Sequence, residues 1–344
     1  MKVYIDVRLL DKKNNTGISR YIEFLLDFYI SKYSDVDIAL VTNDKFLKYR
    51  NCNIIYTKLK PYNILHFILF YFRFKRVDSE IFHSPFYSGF LFGTKKSKNI
   101  ITVHDLMYRF VPNFFSPNNT INRIKIIYFD FIVSFSIKNA DKVISVSNST
   151  KQDLLKFLNI DSDVINEAPI KILRSNDEIL KRNNLLGIKY FFYCGNNRKH
   201  KNLNFLINVF NKNTALPLLV LAGNGHKSCQ NVLSVGRVTD EELRSLYENS
   251  LGFIFPSEYE GFGLPVLESL FLKTPVILSK IPAFLEFKKS KNTYFFSLND
   301  DGELVRILEE VIQKGFIKDE YFLKEYSESN IICRYESLIE ALNG

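Results

Sequence analysis

The sequence predicts an α/β protein built from two doubly wound, Rossmann-like domains, and three observations carry that prediction. Short apolar runs of strand length alternate with longer stretches of helical period in both halves of the chain. The alternation lapses over residues 161–184, a polar stretch relieved only by the short run 164–168, and restarts at Tyr190. At 344 residues the chain also exceeds what one hydrophobic core usually supports. We therefore place an N-terminal domain at 1–165, a linker at 166–186, a C-terminal domain at 187–316 and a terminal helical segment at 317–344.

The elements follow in order. In the first half, residues 3–7, 38–42, 80–83, 99–104 and 142–146 read as strands, with helices in the gaps. In the second half the strands are 190–194, 216–222, 231–235, 252–255 and 275–278. Continuous apolar strands joined by helices imply parallel sheets, whose ligands bind beyond the carboxyl ends of the strands. Two such domains facing each other across a cleft place the expected active site in that cleft.

Composition narrows the function. A hydrophobic fraction of 46% excludes general disorder. Cys52, Cys194, Cys229 and Cys333 are scattered without metal-ligand spacing and read as reduced thiols. No leader precedes the first strand and no apolar run reaches the ~20 residues that span a bilayer, so a cytoplasmic protein is expected. The net charge of +9 is concentrated at the front: Met1 to Arg174 holds 26 basic against 16 acidic residues. Within that half, residues 62–76 form an apolar, aromatic helix candidate ending in Arg73, Lys75 and Arg76. Such a segment fits an anionic membrane interface and fits equally a core helix with a dipole-compensating basic end. No nucleic-acid motif is present, and nucleic acid is not an expected partner.

The segment from Phe255 to Glu268 carries the chemistry. Strand 252–255 ends at Pro256-Ser257, Gly261 and Gly263 allow a close-approach turn, and Leu264-Pro265 opens a helix. A strand, a glycine turn and a helix N-terminus form a ready anion site, suited to phosphate. Glu268, one turn further in, can accept hydrogen bonds from paired hydroxyls such as those of ribose. Tyr193-Cys-Gly-Asn-Asn-Arg-Lys-His-Lys201 sets Arg198, Lys199 and Lys201 beyond another strand, where an Arg fork and Lys point charges suit phosphate oxygens. His104-Asp105 ends strand 99–104, and Asn15-Thr-Gly-Ile-Ser-Arg-Tyr21 opens the first helix.

The string Glu260-Gly-Phe-Gly-Leu-Pro-Val-Leu-Glu268, with Pro256-Ser257 before it, resembles the signature of retaining glycosyltransferases of the GT-B fold, specifically glycosyltransferase family four. The resemblance implies that Glu268 holds the nucleotide ribose and Glu260 the donor sugar, with the backbone of Gly261, Phe262, Gly263 and Leu264 facing sugar and diphosphate. It assigns Arg198 and Lys201 to the diphosphate, the Gly17 amide to the same group with Arg20 in support, and His104 to a sugar hydroxyl beside Asp105. Gly223 would line the base pocket, and the backbone at Arg237 and Val238 would read the base. One glycine stands in the loop around Gly17 where many relatives carry two, a departure that bears on its geometry. The implied reaction transfers a hexose from a nucleoside-diphosphate sugar, GDP- or UDP-linked, to a glycan hydroxyl with retention, the departing phosphate oxygen taking the acceptor proton. It needs no metal or other cofactor, and no Asp-x-Asp pair is suitably placed, Asp35-Val-Asp37 lying apart from every other motif. The basic, aromatic first half points to a lipid-linked oligosaccharide acceptor at the inner face of the cytoplasmic membrane, as in bacterial surface polysaccharide synthesis. The terminal segment would cross back to the first domain, as is common in this fold. Readings kept beside this one are a GT-B epimerase or phosphorylase, a silent nucleotide-sugar sensor and a membrane-associated scaffold.

Overall fold

The computed structural model describes every residue except 12–15, 62–65, 88, 91–95, 170–173, 318 and 344, together with the side chains of all the others but 67, 320, 321, 323 and 343. Asn15 of the glycine loop, the first residues of the basic helix candidate and part of the expected linker lie outside this set. The chain forms two compact units, one from Met1–Ala168 with Glu328–Gly344 and the other from Pro169–Ser327.

The first unit begins with β1 (Val3–Asp6), α1 (Gly17–Lys32), β2 (Ile38–Thr42), β3 (Asn53–Tyr56), α2 (His66–Phe74), β4 (Ile81–Ser84) and β5 (Lys98–Val103). It continues through α3 (Met107–Phe110), α4 (Asn119–Lys138), β6 (Lys142–Ser145), α5 (Asn148–Leu158) and β7 (Asp163–Val164). The strands pair in the order β3-β2-β1-β4-β5-β6-β7, all parallel. Side-chain hydroxyls and amides start the helices: Thr16 Oγ1 accepts from the Ser19 N–H, Asn118 from Ile121 and Ser147 from Thr150.

The second unit comprises α6 (Glu178–Arg182), β8 (Tyr190–Cys194), α7 (Leu203–Lys212), β9 (Leu218–Ala222), β10 (Val232–Gly236), α8 (Asp240–Glu248) and β11 (Gly252–Phe255). Then come α9 (Leu264–Phe271), β12 (Val276–Ser279), α10 (Pro282–Leu285), β13 (Thr293–Phe296), α11 (Asp301–Lys314) and α12 (Glu320–Glu325). Its parallel sheet runs β10-β9-β8-β11-β12-β13, the doubly wound order. The chain then returns to the first unit as α13 (Glu328–Asn343).

Alternation along the strands sorts the core of the first unit. Val3, Ile5, Leu40, Ile81, Ile100 and Ile144 point to one face, beneath Tyr21, Leu25 and Tyr29 of α1 and Ile331, Tyr335 and Leu338 of α13. Val41 and Phe82 point to the other, beneath Phe70 and Phe74 of α2. Ile101 and Val103 share that second face, beneath Ile132, Val133 and Ile137 of α4 and Leu154 of α5. So α1 and α13 cover one side of the sheet, and α2 and α4 the other.

Three strands escaped the sequence reading. β3, β7 and β13 are edge strands, mostly exposed or half-buried, and bury too little to leave a core pattern. In the stretch read as linker, α6 buries Ile179 and Leu180, and Arg182 pairs with Glu242 of α8. The terminal helical stretch is two helices, because Phe322 and Tyr326 pack on Phe287 in the second unit while Ile331 and Tyr335 pack in the first.

Candidate functional site

In the second unit the strand order reverses between β8 and β11, so the loops leaving these strands part to opposite faces and open a crevice at the carboxyl ends. Arg198, Lys201 and Glu260 lie there, and Glu268 lies in the helix that follows. After β8 the chain passes Gly195 and Arg198 into a single 3-10 turn, Lys199–Lys201. After β11 it passes Ser257 and Glu260 into α9. Lys201 Nζ donates to Glu260 Oε1 at 2.6 Å, with 15% and 11% of the two side chains exposed. The Ser257 hydroxyl donates to the same oxygen at 2.7 Å, and the Ser279 hydroxyl holds the Ser257 carbonyl. Lys201 Nζ also sits 4.7 Å from the centre of the Phe255 ring. Glu258 N–H donates to the His200 carbonyl at 2.7 Å, stitching the two loops together.

Glu260 is therefore no solvated loop acid. The family resemblance implies the diphosphate for Lys201 and the sugar for Glu260, and the fold joins the two as one pair. An ammonium has three N–H donors, so Lys201 keeps donors beyond the one it gives Glu260. His200 is buried, and burial together with Lys201 pulls its pKa down to about 4, which keeps it neutral. Arg198 and Lys199 are exposed at the mouth of this loop.

The glycine turn before α9 is tightly packed. Phe262 is 3% exposed because its ring packs on Phe287 and Tyr326, and Leu264 is buried too. Gly261 and Gly263 are buried beside them, so the whole turn is packed into the unit. Gly263 has φ +129°, and a Cβ there would lie 3.2 Å from Phe284. Pro265 stands in the first turn of α9, and Glu268 is buried one turn in.

The loop after β9 completes the edge. Gly223, at φ +135°, lies so close to the β8 loop that a Cβ would fall 1.9 Å from the Gly195 carbonyl oxygen. His226 Nε2 donates to that same carbonyl at 2.8 Å. His226 has no signal in the sequence beyond its place next to a glycine turn, and Ser257 is marked there as a strand end and part of the signature without a contact to Glu260 being assigned to it. Arg237 is exposed and Val238 half-buried in the loop after β10, at the far edge of this sheet.

The first unit holds Gly17 and His104. Gly17 is the first residue of α1. His104 follows β5, with Nδ1 2.7 Å from Glu167 Oε1 and Nε2 2.9 Å from the Pro85 carbonyl. Both partners are acceptors, so the ring satisfies them only with both nitrogens protonated. Burial disfavours that charge, but the Glu167 carboxylate and the Pro85 carbonyl outweigh it and raise the pKa above the usual histidine value. Both ring nitrogens that the family resemblance would offer to a sugar hydroxyl are thus engaged within the first unit. Glu167 was not foreseen; its one sequence signal was its place in the short run 164–168.

A second locked charge pair closes β1. Arg8 Nε donates to Asp6 Oδ1 at 2.7 Å and the other guanidinium arm meets Oδ2. Nη1 reaches the Leu59 carbonyl at 3.1 Å and His66 Nδ1, the first residue of α2, at 3.0 Å. Neither side chain of the Asp6–Arg8 pair is exposed.

Two parallel, doubly wound units, one with charged groups gathered at its switch point, define the GT-B architecture. Comparison with known proteins agrees. Residues 175–328 match the family described as glycosyl transferases group 1. The chain is 29% identical over 216 residues to the O-antigen chain mannosyltransferase RfbU of Salmonella typhimurium, a match covering 59% of this chain and 57% of that protein. It is 23% identical over 314 residues to O-antigen chain mannosyltransferase B of Escherichia coli, covering 80% and 78% respectively. Among solved structures, sucrose-phosphate synthase from Thermosynechococcus elongatus superposes with a TM-score of 0.75 at 16% identity, over 99% of both chains. The match to the glycosyl transferases group 1 thus spans nearly all of the second unit, and the likeness to solved structures extends the fold to the whole chain.

Proposed function

We propose that this protein is a retaining glycosyltransferase that moves a hexosyl unit from a nucleoside-diphosphate sugar to a hydroxyl of a lipid-linked glycan, in the assembly of a bacterial surface polysaccharide. The observation that carries the proposal is the Lys201–Glu260 pair at the switch point of the second unit, beside a glycine turn that opens a helix bearing the buried Glu268. The Salmonella and E. coli relatives, both mannosyltransferases by name, make mannose the first sugar to test.

In this reading the amides of the glycine turn and the start of α9 receive the diphosphate, with Arg198 and Lys201 adding positive charge as it departs. Glu260, held by Ser257 and Lys201, orients sugar hydroxyls, and Glu268 accepts from the ribose. The bond from the anomeric carbon to the phosphate oxygen breaks as the acceptor oxygen bonds on the same face. The acceptor proton passes to the leaving phosphate oxygen, so catalysis rests on positioning and charge. His104, charged and fixed, would act from the first unit as a positioning residue. The acceptor side belongs to that unit, where the basic excess and α2 favour a peripheral place at the inner face of the membrane. Among the described residues no helix is long and apolar enough to cross a membrane.

The test is a panel of GDP- and UDP-hexoses, scored for thermal stabilisation and for nucleoside diphosphate released with a lipid-linked glycan acceptor. One donor should raise the melting temperature in proportion to its affinity and release its nucleotide only when the acceptor is present. No stabilisation and no release with every donor would end the enzyme reading.

A further inference from the structure

The two sides of the first unit's sheet differ in what they show to solvent. On α1 the exposed residues are Gly17, Asp27, Ser31 and Lys32, and on α13 they are Ser329, Cys333, Ser337, Glu340 and Ala341. That is an ordinary solvated surface. On the other side, α4 exposes Ile121, Ile124, Ile127, Tyr128, Phe131 and Phe135, with Ile124, Ile127 and Phe131 at 62%, 63% and 67%. At 3.6 residues per turn these six fall within an arc of about 120°, directly opposite the stripe that α4 buries. Past Asn119 and Thr120, every other exposed residue of α4 is a cation: Arg123, Lys125 or Lys138. The one acid of the helix, Asp130, is turned away, accepting from the Tyr108 hydroxyl at 2.6 Å and pairing with Arg109.

We infer that α4 is an interfacial helix that lays this stripe into an anionic lipid surface. Apolar side chains rimmed by cations, with no exposed acid among them, complement both halves of a bilayer surface, its acyl boundary and its negative headgroups. A second observation points the same way. Helix α2 lies on the same side of the sheet and exposes Ile68 at 44%, Leu69 at 46% and Phe72 at 61%, with Arg73 also exposed. Just past its end, the Lys75 ammonium lies 4.7 Å from the Phe72 ring centre. The Arg8 guanidinium holds the start of α2 through His66 and lies 4.2 Å from the Phe70 ring centre, fixing which face turns outward. Both stripes therefore point away from one side of one sheet. The inference deepens the membrane-borne acceptor proposed above and rests on that reading.

The chain contains no tryptophan, so one introduced residue is a clean reporter. The full chain carrying Phe131→Trp should show a blue-shifted emission, quenched by acyl-chain nitroxides, with vesicles of phosphatidylcholine and phosphatidylglycerol at low salt. Phosphatidylcholine alone should leave it unchanged. Ile127→Glu with Phe131→Glu should weaken co-flotation with the anionic vesicles at least tenfold, while donor-dependent nucleotide release to a short-chain, water-soluble acceptor stays at the parent level. Emission unmoved by anionic vesicles overturns the proposal. So does loss of flotation in Ile68→Glu with Phe72→Glu but not in the α4 variant, an outcome that leaves the membrane-borne acceptor standing. A lipid-independent dimer that the α4 glutamates dissociate would also overturn it, by showing that the stripe binds a second copy.

Discussion

The two units share one topology and use it differently. In the second, charged groups stand at the carboxyl edge of the sheet: Arg198, Lys199 and Arg237 are exposed there, and the Lys201–Glu260 pair keeps some access to solvent. In the first, the charges at the same edge are consumed internally, Asp6 by Arg8 and His104 by Glu167. The outer surfaces invert this pattern. Among the described residues the second unit exposes few large apolar side chains, Leu186, Ile188, Leu285 and Ile317, while the first exposes continuous stripes on α2 and α4. A doubly wound sheet offers ligands the ends of its strands whatever the sequence. Which charges are left unsatisfied at those ends separates a site for a charged small molecule from a rigid platform.

Cutting the locked pair tests the platform half of this contrast and should have the largest effect. Arg8→Ala leaves Asp6 buried without its partner and removes the anchor of α2, which should cost about 3–5 kcal/mol in urea unfolding. Lys201→Ala should cost markedly less, since Glu260 retains the Ser257 hydroxyl and some solvent. Equal losses would erase the distinction between a closed edge and an open one.

The next test divides the open edge itself. Glu260→Gln should lower kcat about 10²-fold, equivalent to about 2.7 kcal/mol, with donor affinity nearly kept. Glu268→Ala should weaken nucleotide binding and activity together, by about tenfold, as read by calorimetry and steady-state rates. The same affinity and the same rate in both variants would refute the division of labour.

Taken per pH unit, the smallest effect is a pH signature of the closed edge. His83 is fully buried between the Tyr29 and Thr102 hydroxyls, and burial, with His104 adding to it, pulls its pKa down to about 3. Below the unfolded value near 6.5 the unfolded chain takes up a proton that the folded one refuses, so His83 makes stability fall as pH drops from there towards 3. His104 acts in the opposite sense, because its folded pKa is raised. Its contribution is complete below about 6.5 and is lost as pH rises through the folded value. Each slope reaches at most about 1.4 kcal/mol per pH unit. Unfolding titrations should therefore peak near pH 6.5, His83→Phe flattening the acid limb and His104→Gln the alkaline one. An alkaline limb unchanged in His104→Gln would remove the charged histidine from the account.

The sequence by itself determined the class of fold and the addresses of the candidate site. Apolar runs of strand length repeat in both halves, and Glu260, Glu268, Arg198 and Lys201 all fall just past strands or in the helix that follows, because loop chemistry and strand periodicity are local properties. It missed β3, β7 and β13, where edge strands bury too little to leave a pattern. Tertiary structure alone decided the pairings. Lys201 meets Glu260 across 59 residues and His104 meets Glu167 across 63, distances over which no local rule reaches. It also decided which face of α4 and α2 turns outward. Periodicity shows that a helix has an apolar stripe, but only the packed sheet shows whether that stripe is covered, and on α4 the covered stripe is the other one.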